Sequence, residues 1–238
     1  MFRSLSGSRV STQPLAAVFI LTLAALAGSA GQAQTTRKPG HETNANRKAR
    51  IERQIKETYT HRWEVGGGGG WLRFRSGEYN QKNSEIAFWM DTTYYFNEKL
   101  GLTGEIRGGY GNAKPLQGVS NNLNVVGNPQ ISEYPFMAGP TYRLRTKLRY
   151  DVSVFALGGT AIGKFDGDLH NLPVSQFGFW PSTNARPAFS VGGNLDLNVY
   201  PNLAFRIAPS YLGTTFGGTL QNNVGFEMGL VFRFGRQK

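Results

Sequence analysis

The chain has 238 residues, with 26 Lys and Arg against 15 Asp and Glu, 31 Gly and no cysteine. Without cysteine, a disulfide scaffold and a metal or cluster site with cysteine ligands are excluded. The formal net charge of +11 suggests nucleic acid or an anionic surface as a partner, so the positions of these charges matter.

Residues 1–33 have the composition of a secretory signal peptide. Basic residues precede an apolar run from Leu15 to Ala27, and small residues follow up to Ala33. The run is shorter than the ~20 apolar residues of a transmembrane helix. We therefore predict export, with cleavage after Ala33 or Ala30.

Residues 34–61 form a polar and basic tail. Ile51 and Ile55 stand four residues apart, as on one face of a helix, but few other apolar residues support such a face. We interpret the tail as a solvated tether. The alternative is a basic segment that contacts an anionic lipid or an anionic cell-wall polymer.

From residue 62 onward the apolar residues recur at every second position, which is the period of a β-strand. In residues 85–96, for example, Ile86, Phe88 and Met90 alternate with polar residues such as Glu85 and Asp91. Seven segments show this alternation, and a first strand over residues 62–75 is less regular because five glycines hide the pattern. The sequence therefore predicts an all-β fold with eight strands.

The connections between these strands alternate in length. Tight turns follow strands 2, 4 and 6, whereas longer loops rich in Gly and Asn follow strands 1, 3, 5 and 7. Outer-membrane barrels show this asymmetry and an even number of strands. Alternation alone does not decide which face points inward, so a soluble lipocalin-like cup is the alternative.

The polar face of the predicted strands carries acidic residues and arginines, whereas the lysines past residue 62 fall in loops, turns or the C-terminus. Because guanidinium groups pair two carboxylate oxygens at once, this choice suits a packed, poorly hydrated interior. We predict a network of lumen ion pairs made by Glu85, Asp91, Glu105, Arg107, Glu133, Arg143, Arg149, Asp151, Arg186, Asp196, Arg206, Glu227 and Arg233.

The last predicted strand ends in EMGLVFRF, residues 227–234. This sequence resembles the β-signal that the barrel-assembly machinery recognises, at positions Glu227, Gly229, Phe232 and Phe234. Four more residues follow, where the pattern of the family usually stops. Residues 62–234 resemble the small eight-stranded outer-membrane barrels of the OmpA transmembrane domain, OmpX and opacity type, without the peptidoglycan-binding domain of OmpA.

The resemblance implies an eight-stranded antiparallel up-and-down transmembrane β-barrel over residues 62–238. It also implies both termini in the periplasm, with outer-membrane lipid and the assembly machinery as partners. Eight strands leave an interior only wide enough for side chains. Function is therefore expected in the extracellular loops, as surface interaction, adhesion or envelope integrity. A narrow channel for ions or small solutes is the alternative, and a lipid-modifying enzyme or a soluble lipocalin-like binder ranks lower.

The sequence offers no strong catalytic, cofactor or metal motif. Gly158–Lys164 approaches a phosphate-binding loop, but Phe165 stands where Ser or Thr is required. His41, His61 and His170 fall outside the predicted strands, so a catalytic serine on a strand would lack its base. We therefore expect no enzyme activity, no cofactor and no bound metal.

The third long loop contains an aromatic group formed by Phe177, Phe179 and Trp180. Exposed aromatic residues mark either a contact surface or the aromatic belt of a membrane interface, and the sequence leaves both open. The net charge now divides into +2 in the signal peptide, +5 in residues 37–62 and +4 beyond them, mostly outside the strands. This distribution argues against nucleic acid as a partner.

Overall fold

The chain folds into a closed barrel of eight strands, each antiparallel to its neighbours in sequence order. The computed structural model describes residues 44–78, 80, 82–113, 129–167 and 174–236, so the predicted signal peptide lies outside the described residues. This architecture confirms the predicted all-β, up-and-down barrel. The strands are β1 (His61–Arg75), β2 (Lys82–Tyr95), β3 (Leu100–Asn112), β4 (Gln130–Thr146), β5 (Tyr150–Lys164), β6 (Thr183–Tyr200), β7 (Leu203–Thr214) and β8 (Gln221–Arg236).

The barrel has two unlike ends. Short turns at residues 96–99, 147–149 and 201–202 lie at one end, together with the start of β1 and the end of β8, and we call this the turn end. The longer connections follow Arg75, Asn112, Lys164 and Thr214, and these strand ends lie at the opposite end of the barrel, the loop end. The Asn97 side chain shows how a short turn is made, because its Oδ1 accepts the backbone N–H groups of Lys99 (2.9 Å) and Leu100 (2.8 Å).

Three of the five glycines of β1, Gly66, Gly68 and Gly70, allow close packing inside the barrel. β1 pairs with both β2 and β8, and Gly68 lies opposite Trp89 on one side and Gly229 on the other. A side chain at Gly68 would collide with the Met228 carbonyl, and one at Gly66 would collide with the Trp89 ring. The glycines therefore leave room for Trp89, whose Nε1–H donates to the Met228 carbonyl at 3.3 Å.

One helix, α1 (Asn44–Tyr59), precedes the barrel in the described part of the chain. The segment interpreted as a solvated tether is thus helical over these residues, and only its last two residues, Thr58 and Tyr59, are buried. β1 begins at His61, one residue earlier than predicted, so this histidine is on a strand. Among the described residues, no helix has both the length and the apolar character needed to cross a membrane.

Large apolar side chains cover the outer surface of the barrel, and charged side chains fill part of its interior. Outward-facing Met90, Ile106, Phe136 and Val191 are exposed, and Ile106 keeps 47% of its surface accessible. A soluble cup would show the reverse arrangement, so the lipocalin-like alternative is not supported. The arrangement is that of a barrel surrounded by lipid, in which closure satisfies every strand hydrogen bond.

Candidate functional site

The lumen is the candidate functional site, and it has two differently filled regions. We call the first the ionic half, which holds the buried charged groups Glu64, Asp91, Glu105, Arg107, Arg143, Asp151, Asp196, Arg206, Glu227 and Arg233. The second lies toward the loop end, and we call it the aromatic plug, formed by Phe74, Phe165, Phe179, Trp180 and Phe216.

Glu64 is the centre of the ionic half. Its Oε1 contacts Arg143 Nη2 at 2.5 Å and Arg233 Nε at 2.6 Å. Its Oε2 contacts Arg206 Nη2 at 3.3 Å and accepts the Tyr95 hydroxyl at 3.2 Å. A single buried carboxylate therefore joins arginines from three different strands, which ties β4, β7 and β8 to β1.

The same arginines also bridge acidic residues on neighbouring strands. Arg206 lies opposite Asp196 in the register of β6 and β7 and binds it through two contacts, of 2.7 and 2.8 Å. Its third nitrogen reaches Asp91 Oδ2 at 2.6 Å. Asp151 and Asp196 face each other across β5 and β6, and Arg233 contacts both, at 3.2 and 3.1 Å. The guanidinium groups thus separate like charges that would otherwise repel.

Arg107 forms a second, smaller centre. Its Nε contacts Glu105 and lies 2.8 Å from Glu227 Oε1. Its terminal nitrogens donate to Ser210 Oγ at 2.9 Å and to Ser190 Oγ at 3.3 Å. Glu105 is directly opposite Asp91 in the register of β2 and β3, so this centre adjoins the first.

The structure places eleven of the thirteen predicted lumen residues inside the barrel, and two need correction. Arg149 is exposed because it belongs to the three-residue turn between β4 and β5. Arg186 is exposed near the loop end of β6, where the lumen is filled by apolar groups. Glu85 and Glu133 are buried, but they take no part in these ion pairs.

Glu64 was absent from the predicted set although it has the most partners. The signal was present in Trp63-Glu64-Val65, where a charged residue stands between two outward-facing apolar ones. The glycines that follow interrupt the alternation, so the period of two does not indicate that Glu64 points inward. With this correction, the described lumen contains eight buried carboxylates and four buried arginines rather than seven and six.

Tyr59 closes the turn end of the ionic half. Its hydroxyl donates to the Lys147 carbonyl at 2.7 Å and accepts the Asn198 side-chain amide, also at 2.7 Å. Its ring lies against the guanidinium groups of Arg143 (5.3 Å) and Arg233 (5.5 Å). Burial, and then the charge of Asp151, raise the pKa of Tyr59 from 10.0 to about 12. Tyr59, the last residue of α1, therefore covers the ion pairs at the turn end.

The aromatic plug fills the lumen toward the loop end. Phe74 stacks on Phe165 with ring centroids 6.0 Å apart, and Phe216 meets Phe165 edge to face at 5.2 Å. Phe179 and Trp180 are buried, with 4% and 8% of their surface exposed. Both sequence-based interpretations of these two residues, an exposed contact surface and a lipid-facing belt, are therefore wrong. In the described part of this loop, Phe179 and Trp180 point inward because they belong to one buried apolar cluster with Phe74, Phe165 and Phe216.

The third member of that predicted contact group, Phe177, ends a 3₁₀ turn (Val174–Phe177), and its side chain lies outside the described set. The tight closure of β1 against β8 also gives a structural role to one residue of the predicted assembly signal. A side chain at Gly229 would collide with the Gly67 carbonyl.

The other members of the assembly signal divide between the two faces of β8. Phe232 and Phe234 point outward and stack with centroids 6.0 Å apart, whereas Glu227 points into the lumen.

Three carboxylates of the ionic half come close enough to suggest a metal site. Glu64, Asp151 and Asp196 each offer an oxygen within 4.8 Å of the other two. The guanidinium groups of Arg143, Arg206 and Arg233 already contact oxygens of these three carboxylates. Each of the three carboxylates is therefore paired with at least one arginine, which is the arrangement of an ion-pair network.

No protein-family model and no curated protein matches this chain. Among solved structures it is similar to the outer membrane protein OprG from Pseudomonas aeruginosa, at TM-score 0.52 and 12% identity over 74% of this chain and 97% of that one. It is also similar to Neisserial surface protein A, at TM-score 0.50 and 13% identity over 72% and 97%. These likenesses show that the chain has the fold of the small eight-stranded outer-membrane β-barrels.

Proposed function

We propose that the protein is an integral outer-membrane barrel that conducts no solute and acts through its loop end, in surface interaction, adhesion or envelope integrity. The proposal rests on one observation: the ionic half and the aromatic plug fill the lumen one after the other along the barrel, inside an apolar outer wall. The names of the two similar proteins described above, an outer membrane protein and a surface protein, agree with it.

The ionic half and the aromatic plug obstruct the lumen in different ways. Three arginines and the carboxylates around Glu64 occupy the ionic half through direct contacts of 2.5 to 3.3 Å. Beyond them, the packed rings of Phe74, Phe165 and Phe216 offer no polar partner to an ion. An ion would lose its hydration water in the plug without replacement, which is costly. A narrow channel remains the alternative function.

The expected orientation puts the turn end and both termini in the periplasm, since outer-membrane barrels have short periplasmic turns. Because the chain has no cysteine, single cysteines can report this orientation. Leu220→Cys, at an exposed loop-end position, should react with a membrane-impermeant maleimide on intact cells. Lys99→Cys, exposed in a turn, should react only after the outer membrane is opened. The reverse labelling would contradict the orientation.

Single-channel recording of the purified protein in a planar bilayer tests the closed lumen. We expect no steady conductance. A steady conductance that is lost in Arg107→Ala or Arg206→Ala would instead support the channel. Heat-modifiable mobility on gels and recovery in the outer-membrane fraction test the placement, and a soluble periplasmic protein would contradict it.

Helix α1 supports a second contact, to an anionic cell-wall polymer on the periplasmic side. The helix carries five Lys or Arg residues against two Glu, and twelve of its sixteen residues are exposed. The full chain should therefore sediment with purified peptidoglycan sacculi in low salt and be released by high salt. Replacing Arg47, Lys48 and Arg53 by Gln should weaken this sedimentation, and unchanged sedimentation would contradict the contact.

A further inference from the structure

Three cationic side chains lie close together on β1 and β2 at the loop end. Arg75 is directly opposite Lys82 in the register of the two strands, and Arg73 precedes Arg75 on the same, outward face of β1. Like charges directly opposite each other in an antiparallel pair repel. An anion bound beside these side chains would remove that repulsion.

The described part of the chain gives these three cations no acidic partner. Arg75 Nη1 donates to the Glu78 backbone carbonyl at 3.5 Å, and Lys82 Nζ donates to the Asn222 backbone carbonyl at 3.0 Å. Both acceptors are uncharged, and no described carboxylate forms an ion pair with Arg73, Arg75 or Lys82. The four lumen arginines, by contrast, are all paired with carboxylates. The outer cations therefore have charge available for a ligand.

Arg75 and Lys82 line a groove of about 290 Å³ at the loop end, which we call the rim groove. Its wall also includes the exposed polar residues Thr219 and Asn222, and Glu78, whose carboxylate offsets one of the two positive charges. The third cation, on the adjoining outer wall, leaves the region with an excess of positive charge. The volume is near the lower limit of about 300–1,000 Å³ for small-ligand sites, so the groove fits an anion of headgroup size.

The cations stand at the height where an outer-membrane barrel meets lipid headgroups. Trp71 lies two residues before Arg73 on the same face of β1 and packs against Phe226, with ring centroids 6.0 Å apart. Val224 is the register partner of both Arg73 and Tyr211. Outward Trp and Tyr side chains form the belt at the membrane interface, where headgroups lie. Arg73 is therefore at headgroup level, and the rim groove lies at the strand ends just beyond it.

We propose that the rim groove and Arg73 bind the phosphorylated sugar headgroup of a glycolipid in the outer leaflet, with its acyl chains against the apolar outer wall. Guanidinium and ammonium groups match the charged oxygens of phosphate. The exposed Thr219 and Asn222 side chains match hydroxyl groups, which are more numerous on a sugar than on a glycerol headgroup. The proposal rests on the proposed function, because it requires the loop end to face outward, and it names one ligand class for that end.

Binding is measured with the purified protein in zwitterionic detergent micelles, by native mass spectrometry of the lipid-bound barrel. The probe is diphosphoryl lipid A, and the comparison lipids are dephosphorylated lipid A and phosphatidylglycerol. Diphosphoryl lipid A should bind at least about tenfold more tightly than either, because it alone offers both phosphate and sugar. Glucose 1-phosphate, which has no acyl chains, should compete only weakly. Equal affinity for this free sugar phosphate would overturn a membrane lipid as the source of the ligand.

Removing the three cations tests the site directly. A triple variant with Gln at each position should bind diphosphoryl lipid A at least about tenfold more weakly. The changes are Arg73→Gln, Arg75→Gln and Lys82→Gln. These side chains lie outside the lumen, so the fold, checked by heat-modifiable mobility, should be retained. If the triple variant does not fold, Arg75→Gln alone should weaken binding by about threefold or more.

A second triple variant is the matched control. It removes the same amount of charge from exposed positions at the turn end, with Lys99→Gln, Lys147→Gln and Arg149→Gln. Its affinity for diphosphoryl lipid A should equal that of the wild type. Equal losses of affinity in the two triple variants would indicate non-specific attraction to the net charge and overturn the proposal.

Two further results would overturn the proposal. One is wild-type affinity in the variant without the three loop-end cations. The other is equal affinity for phosphatidylglycerol and diphosphoryl lipid A, since the sugar would then contribute nothing. Failure of the proposed function is detected by cysteine labelling on cells and by single-channel recording, neither of which uses lipid A. The two proposals therefore fail separately.

Discussion

The two regions of the lumen are both filled by side chains, but the ionic half contains charged groups and the aromatic plug contains aromatic rings. The ionic half fills the barrel with charged groups from all eight strands, and its order depends on specific contacts such as those around Glu64. The aromatic plug fills it with rings that need no particular partner atom. Burying apolar surface is favourable without directional contacts, whereas buried charges must be matched one by one. The ionic half should therefore be the less tolerant of substitution.

The largest expected effect comes from removing the central charge of the ionic half. Glu64→Gln leaves Arg143, Arg206 and Arg233 without their shared carboxylate, so unfolding free energy should fall by about 3–5 kcal/mol. Urea titration of the barrel in lipid vesicles measures this. The exposed loop residue Glu78 provides the control, because Glu78→Gln should change stability by less than about 0.5 kcal/mol. A loss below about 1 kcal/mol at Glu64 would mean that the arginines find other partners.

A comparable substitution in the aromatic plug should lower the unfolding free energy somewhat less. Phe216→Ala removes a fully buried ring that contacts Phe74 and Phe165, and about 3 kcal/mol is expected from the cavity. Phe216→Leu should recover most of that loss, since an apolar group of similar size needs no specific partner. The same urea titration applies. A Leu variant as unstable as the Ala variant would show that ring geometry, and not apolar filling, holds the plug together.

The outer wall offers a contrast with both regions of the lumen. Ile106 lies at the middle of β3 and faces outward, so Ile106→Arg should cost about 2–4 kcal/mol in lipid vesicles. Leu197, which faces outward near the turn end of β6, should tolerate Arg at a cost of about 0–1 kcal/mol. Equal costs at the two positions would contradict a lipid boundary around the middle of the barrel.

The sequence predicts the wall of the barrel better than its contents. The apolar residues alternate with polar ones in seven of the eight strands. This period of two gives the number of strands, the lengths of the turns between them and the inward face that carries the arginines. Period alone does not give the height of a residue along the barrel, so Arg149 and Arg186 could not be separated from Arg206. In β1 the glycines remove the period, and Glu64 was missed although it is the most connected lumen residue.

Loop residues were the least predictable part of the site. Phe179 and Trp180 stand in a connection without periodicity, where the sequence shows aromatic character but not direction. Their inward packing depends on Phe74 and Phe216, which come from distant parts of the chain. Tyr59 was missed for a related reason, since nothing local indicates that the end of a basic helix would cover arginines of β4 and β8.

The smallest expected effect tests whether Tyr59 seals the ionic half as the plug seals the other end. Tyr59→Phe keeps the ring against Arg143 and Arg233 but removes the hydroxyl contacts, so about 1 kcal/mol should be lost at neutral pH. The wild-type advantage also depends on pH, because the folded pKa of about 12 lies above the unfolded value of 10.0. The neutral hydroxyl therefore stabilises the fold fully below pH 10, and this contribution is lost as the pH rises toward 12. Urea titrations of both proteins from pH 8 to 12 should show the difference between them shrinking above pH 10. A difference that stays constant over this range would mean that the hydroxyl is open to solvent and that the turn end is not sealed.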